Sequence, residues 1–423
     1  MKCLVFVERI TNRVEYTFDF IFKSRGVDYE LTTNENEYKD YQGVKLNYSS
    51  KELDGFQIVP SSLLFEEEIK TYQLEKSRFN NSECLSFNSI VDPIASVFYT
   101  ITRYEEYIST EKDKHGRFPF SQSYLKTFDW IEKCVCDRWA MEILKMLELD
   151  TVISKLPIKL IPTFDIDNTY AHKLKSGRLK FFSICKDLLQ FNFGRIKERR
   201  EVHNGKKDPY DTFDLIREIG IKNKETKLFW LVGKRAENDK NISIKNEEHQ
   251  LLIASMDRDF EVNLHPSYNS NGDTELIENE KINLEEVVNR KVIRSRQHFL
   301  RFELPRTYKS LISAGFQHEY SMGFAEHVGF RSGTARSFHW FDLEQNKKTD
   351  LIVHPFAYMD GTLNEYMFLS IEESKLKIRQ LYDEVAQFGG DFIFIWHNET
   401  IGDYKKWKGW SEVLRFTLNL KHE

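Results

Sequence analysis

Apolar and polar residues alternate in short runs over residues 1–60: V-E-Y-T-F-D-F-I-F-K, Y-E-L-T-T, V-K-L-N-Y and F-Q-I-V-P. Gly, Asn and Asp separate these runs. A period of two bounded by turn residues predicts the strands of a small mixed or antiparallel sheet. From Asp92 to Tyr107 the spacing becomes helical, with Ile94, Val97, Phe98, Ile101 and Tyr104 on one face. A second helix is predicted over Trp130–Leu149, and a polar loop carrying His115, Gly116 and Arg117 lies between the two. No Pro/Gly linker follows, so this first part is expected to pack tightly on the rest.

After Leu156 the rhythm changes. Strand-like runs I-K-L-I-P-T-F-D-I-D, T-K-L-F-W-L-V-G, D-F-E-V-N-L-H, K-V-I-R-S-R-Q-H, F-Q-H-E-Y-S, D-L-I-V-H-P-F and D-F-I-F-I-W-H-N follow one another. Helical stretches are predicted near 213–222, 245–257, 281–290, 305–314, 371–388 and 411–420. Continuous apolar runs between helices belong to parallel strands covered on both faces. The expected fold is α/β: a distorted β/α barrel over 151–423, preceded by a smaller accessory α+β domain over 1–150.

Several of these runs end in ionisable residues: Asp165 and Asp167, His265, His298, His354 and His397. In a β/α barrel the carboxyl ends of the strands form the mouth where chemistry is placed. Asp165 and Asp167 are two apart, so both side chains leave the strand on one side. Two close carboxylates repel unless a cation sits beside them. Neutral imidazoles such as His265 are natural ligands for zinc, and His397, ending an interior run, suits a general acid.

Composition narrows the partners. The net charge is −5, from 61 basic and 66 acidic residues, which predicts no nucleic-acid partner. Residues 1–150 carry 19 basic and 26 acidic residues, hence −7, and the remainder 42 against 40, hence +2. The apolar run at the amino terminus is too short for a secretory signal, and no run is long enough to span a membrane. Five scattered cysteines without C-x-x-C spacing fit neither a disulfide framework nor a zinc knuckle. A cytoplasmic chain with reduced thiols is expected. Residues 173–207 hold eleven Lys/Arg against three Asp/Glu. That stretch is a solvated insertion or a steering patch for an anionic substrate, with no stable membrane anchor expected in it.

In order along the chain, T-F-D-I-D, T-K-L-F-W-L-V-G, E-V-N-L-H-P-S-Y-N-S, V-I-R-S-R-Q-H-F and F-I-F-I-W-H-N are similar to the motifs of the polysaccharide deacetylase superfamily, the NodB homology domain. The resemblance implies metal-dependent removal of an acetyl group from an amino sugar or polysaccharide precursor. It implies Asp165 as base, Asp167 and His265 as ligands of a divalent metal such as zinc, Arg296 as the partner of Asp165 holding it ionised, and His397 as acid. Two departures stand out: Ile166 occupies the usual second Asp position, and Asn269 stands where a second His is usual. His298 is the candidate replacement ligand. If nothing replaces Asn269, the barrel would bind a glycan without cleaving it.

R-Y-E-E-Y at Arg103–Tyr107, H-G-R-F at His115–Phe118, S-R-Q-H-F-L-R-F, Y-S-M-G-F-A, G-F-R-S-G-T and M-D-G-T-L resemble a bacterial branch associated with surface-polysaccharide biosynthesis. Arg331 and Asp360, within two of these runs, are the candidate substrate-binding residues. Arg331, flanked by glycines, would suit an acidic or nucleotide-linked carbohydrate. Arg103, Glu105 and Glu106 are expected to salt-bridge and dock the first domain. His397 is expected to face Asp165 across the cleft.

Overall fold

The computed structural model describes residues 2–152, 157–175, 177, 185 and 187–420. The first region holds a four-stranded sheet of β1 (Lys2–Val7), β2 (Asp28–Thr32), β3 (Val44–Tyr48) and β4 (Phe56–Gln57), in the order β2-β1-β3-β4. Every neighbouring pair is parallel, which corrects the expected mixed or antiparallel sheet. The run V-E-Y-T-F-D-F-I-F, whose alternation predicts a strand, is helical. It forms the helix Asn12–Ile21, begun by Thr11, whose side chain accepts from Val14 N. Its alternation has a physical cause, because the helix is covered on two faces. Phe18 packs on Phe22, Tyr29 and Tyr48 of the first region. Tyr16 packs on Phe341 of the main sheet and donates to His339 O at 2.7 Å. Apolar residues on both sides of a helix imitate a period of two.

A hairpin and short third strand follow, β5 (Leu74–Phe79), β6 (Ser82–Phe87) and β7 (Ile90–Val91), paired antiparallel. Asp92 then caps the helix Pro93–Ile101 by accepting from Ile94 N and Ala95 N. The predicted helix to Tyr107 breaks at Arg103, whose φ of 55° turns the chain before the short helix Tyr104–Ile108. The second predicted helix shortens to Val135–Met146.

The main sheet has nine strands: β8 (Ile158–Ile166), β9 (Lys227–Leu231), β10 (Glu261–His265), β11 (Arg294–Ser295), β12 (His318–Glu319), β13 (Phe338–Asp342), β14 (Lys347–Val353), β15 (Tyr358–Met359) and β16 (Gly390–His397). Their order is β13-β14-β12-β11-β10-β9-β8-β16-β15, parallel throughout except for the β13–β14 pair. Helices Phe213–Lys222, Glu247–Asp259, Arg306–Ser313, Ile371–Phe388 and Ser411–Leu418 fall on predicted stretches, whereas Thr274–Val288 begins seven residues before the predicted 281–290.

This sheet is curled. Strand β14 is second in the order and β15 is last, seven strand spacings or roughly 34 Å apart if the sheet were flat. Yet only residues 354–357 join them, and so short a segment reaches about 17 Å between strand ends. The segment bridges the two flanks: Phe356 N donates to Met322 O at 3.2 Å and Ala357 N to Ile393 O at 2.8 Å. Ile161, Phe229, Tyr320, Phe356, Ile393 and Ile395 fill one interior cluster from strands and turns around the curl. No ladder pairs β13 with β15 among the described residues. The fold is therefore mixed α/β with a curled sheet open at its seam, and not a closed barrel. No helix among the described residues is long and apolar enough to cross a membrane.

Candidate functional site

Strands β8 and β16 run side by side with Asp165 in register with His397. Parallel neighbours in register present their side chains to the same face. The two are thus adjacent, which corrects the expectation that they face each other across the cleft. Asp167 leaves the chain one residue beyond β8, His265 ends β10, and His298 opens the turn after β11. Ligand atoms of Asp167, His265 and His298 all lie within 4.8 Å of one another. His265 Nε2 is 3.3 Å from Asp167 Oδ1, and His298 Nε2 is 3.3 Å from Asp167 Oδ2.

The far side of each imidazole is already engaged. His265 Nδ1 contacts Arg296 O at 2.5 Å, and His298 Nδ1 contacts Asp239 Oδ1 at 2.8 Å. An oxygen acceptor at Nδ1 fixes the proton there and turns the Nε2 lone pair toward a common point. Asp167 Oδ1 is buried with no hydrogen-bond partner among the described residues. An orphaned carboxylate oxygen beside two oriented imidazole nitrogens fits a divalent cation, and this Asp-His-His donor set suits zinc.

Asp165 is held from below. Arg296, fully buried, donates from Nη1 to Asp165 Oδ1 at 2.7 Å and to Thr163 Oγ1 at 2.8 Å. Its Nε donates to Tyr320 O at 3.0 Å, and its guanidinium lies 4.3 Å over the Phe229 ring. Asp165 Oδ2 is left 3.8 Å from His265 Nε2. On β16, His397 Nδ1 lies 2.8 Å from Asp360 Oδ1, and its backbone N donates to Asp360 Oδ2 at 2.9 Å. Its Nε2 is thereby presented toward Asp167 Oδ2 at 3.8 Å.

Charge follows from this packing. Burial disfavours the imidazolium of His397, but Asp360, then Asp167 and Asp165, raise its pKa well above the ordinary value. Burial likewise opposes His298, and Asp167 and Asp239 push it up to about 9. Burial raises Asp167, yet the surrounding histidines hold its carboxyl well below the usual range. Glu399 is pushed up to about 7 by burial and by the charge of Asp167.

Asp165, Asp167, His265, His298, Asp360, His397 and Glu399 line one cleft of about 600 Å³, with Arg117, Arg195, Lys405, Tyr210 and Trp407 among the other lining residues. Of the basic stretch 173–207, Arg195 thus reaches the cleft. Residues 176, 178–184 and 186 of that stretch lie outside the described residues.

Three expectations are corrected. Arg331 does not face a substrate. It is 2% exposed, its guanidinium grips Glu106 through Nε at 2.8 Å and Nη2 at 2.6 Å, and Nη1 donates to Gly323 O. Arg103 joins the same cluster through Glu106 and Glu105. Asp360 is fully buried, and its oxygens are spent on His397 and Thr400, so it orients the imidazole rather than a substrate. His354 stacks on Tyr320 at 4.2 Å and bonds His318 and Ser337, away from the cleft. Burial drives its pKa well below the ordinary value.

Sequence reasoning missed Asp239, Glu399 and Gln297. Glu399, two residues after His397, was findable as a further carboxylate at the same strand end. Gln297 lines the cleft with both amide atoms buried and without a partner among the described residues. Asp239, in a polar loop without periodicity, gave no local signal.

Among solved structures, a candidate polysaccharide deacetylase from Mycobacterium smegmatis is similar at 11% identity, covering 63% of this chain and 86% of that one, with a TM-score of 0.40. PuuE allantoinase is similar at 10% identity over 63% and 86%, with a TM-score of 0.37. No curated protein matches. Residues 3–151 match a family of unknown function, DUF7033.

Proposed function

We propose that the protein is a metal-dependent hydrolase that removes an acetyl group from an amino sugar or polysaccharide precursor. The reading places the site at the mouth of a distorted β/α barrel over 151–423, with 1–150 as an accessory domain. The observation that carries it is the pair His265 and His298, each tied at Nδ1 and converging through Nε2 on Asp167. The order of the five motifs supports the same reaction class.

Asp167, His265 and His298 would hold the cation, and Asn269 is not needed as a ligand. A bound zinc would act as a Lewis acid, polarising the acyl carbonyl and the attacking water. Asp165 accepts the water's proton through Oδ2, its other oxygen being pinned by Arg296. His397, kept protonated by Asp360, delivers a proton from Nε2 to the departing amine or alcohol. Arg195 and Lys405 along the cleft favour a carbohydrate carrying negative charge.

Metal analysis of the purified protein, with acetate release measured on acetylated amino sugars, tests the reading. One bound divalent ion and chelator-sensitive acetate release are expected. A folded protein that takes up no metal and releases no acetate would reject it. Ile166 in the usual Asp position favours a second reading, a barrel that binds a glycan without cleaving it. Glycan binding that persists in chelator and in Asp165→Asn, without turnover in the wild type, would select it.

A further inference from the structure

The turn that carries His298 is conformationally costly. Phe299 and Leu300, immediately after it, have φ of 61° and 50°. Left-handed backbone at two successive residues with branched or aromatic side chains is disfavoured by the Cβ, and it persists only where surrounding contacts impose it. Within the main sheet's own chain, Asp239 holds His298 Nδ1 and also accepts from Tyr268 N at 2.9 Å. His298 N also donates to Pro266 O at 3.2 Å and Leu300 is buried in the interior cluster, while the Phe299 carbonyl is held from outside this region.

The N-terminal region holds it. Arg117 Nη1 donates to Phe299 O at 2.8 Å, capping the strained residue at its carbonyl. Arg301 Nε donates to His115 O at 2.8 Å, while its Nη1 donates to Tyr268 O at 2.6 Å. The His115 ring lies 5.1 Å from Phe299 and its Nδ1 is 3.2 Å from the Tyr268 hydroxyl. Phe299 in turn lies 4.8 Å from the His298 ring. The loop can bear this load because it is internally braced. Asp113 accepts from His115 N, Arg117 N and Arg117 Nε at 2.7–2.8 Å, and Gly116 turns the chain at φ 75°.

We propose that residues 113–117 of the N-terminal region are a working part of the candidate metal centre, with Arg117 and His115 as positioning residues that hold the His298 turn in its ligating geometry. The proposal gives a role to a region that matches a family of unknown function, and it rests on the metal-centre reading above. It makes the two regions one functional unit: the ligand His298 belongs to one and its restraint to the other.

The test uses the full chain and two readouts, zinc affinity by chelator competition and amide hydrogen exchange of residues 298–301. Arg117→Ala is expected to weaken zinc about 10- to 100-fold, the usual cost of losing an outer support of a ligand. It should also speed exchange in the turn at least about tenfold. Arg117→Lys, which keeps the charge but cannot grip Asp113 and Phe299 O together, is expected to fall between. Tyr16→Phe removes a bond to His339 O elsewhere on the same seam and should change neither readout. Should Arg117→Ala fail to fold, His115→Ala carries the same prediction at about three- to tenfold. Wild-type affinity and exchange in these variants, or equal losses in Tyr16→Phe, would overturn the proposal. A wild type that binds no zinc but whose turn loosens as predicted would remove the metal reading and leave the clamp standing.

Discussion

Arg296 and Arg331 are alike in almost every local respect. Both are buried, both lie 4.3 Å over a phenylalanine ring, and both are paired with a carboxylate. They differ in how completely they are satisfied. Arg331, at the seam with the N-terminal region, meets Glu106 with two parallel bonds and spends Nη1 on Gly323 O. Arg296, beneath the cleft, meets Asp165 with one, and its Nη2 has no partner among the described residues. A saturated pair locks two regions together. An unsaturated pair leaves a carboxylate oxygen available, which is what a proton acceptor needs and what a structural contact avoids.

The largest expected effect separates the two pairs by function. Asp165→Asn should lower kcat by about 10³-fold or more while zinc stays bound, because it removes the acceptor and leaves the ligands. Asp167→Asn and His265→Ala should lose zinc as well, as read by metal analysis after dialysis. If Asp165→Asn also loses the metal, its role as base is wrong.

The converse change attacks the saturated pair. Glu106→Gln leaves the buried Arg331 without a carboxylate and Arg103 with Glu105 alone, and should cost about 3–5 kcal/mol in urea unfolding. The remaining folded protein should keep its zinc affinity, since Glu106 touches no group of the cleft. A large loss of affinity at unchanged stability would contradict the division between the two arginines.

A pH series sharpens the cleft side. His298 has its pKa pushed up to about 9 by Asp167 and Asp239 against the cost of burial. Below that pH, zinc must displace a proton from its Nε2, so apparent affinity should rise by up to about tenfold per pH unit and flatten above about 9. Chelator competition at pH 6.5, 7.5 and 8.5 measures the slope. A flat profile would show that His298 is not a ligand.

The smallest effect concerns Gln297, whose amide is buried without partners. Gln297→Met keeps the volume and removes the unsatisfied groups, so it should stabilise the fold by about 1 kcal/mol in thermal unfolding. Turnover should fall at the same time, as happens where stability is sacrificed at a working site. Unchanged turnover would make the orphaned amide a packing cost alone.

The candidate site was more legible than its frame. Asp165, Asp167, His265 and His397 end apolar runs, and an ionisable residue where a buried strand leaves the sheet is visible without knowing what lies opposite. His354 ends an equally apolar run, yet Tyr320, His318 and Ser337 claim it, and that choice depends on how the curl packs. Arg331 looked as functional as Arg296 because its partner, Glu106, is 225 positions away in sequence. Asp239 was invisible for the same reason, its meaning coming from His298, 59 positions on. The helix Asn12–Ile21 was misread because burial on two sides overrode the signature of its period.

The short connection between β14 and β15 also acts as a length constraint. Residues 354–357 are the tether that fixes how far the two flanks of the curled sheet can separate, since a strand on each flank is attached directly to one of its ends. Asp360 follows that tether by three residues and aims His397. The circumference of the sheet and the bearing of the His397 imidazole are therefore set by one measurement, the span of four residues. Lengthening that span would loosen both together, and an imidazole that wanders by an ångström is a far poorer proton donor than one held in line.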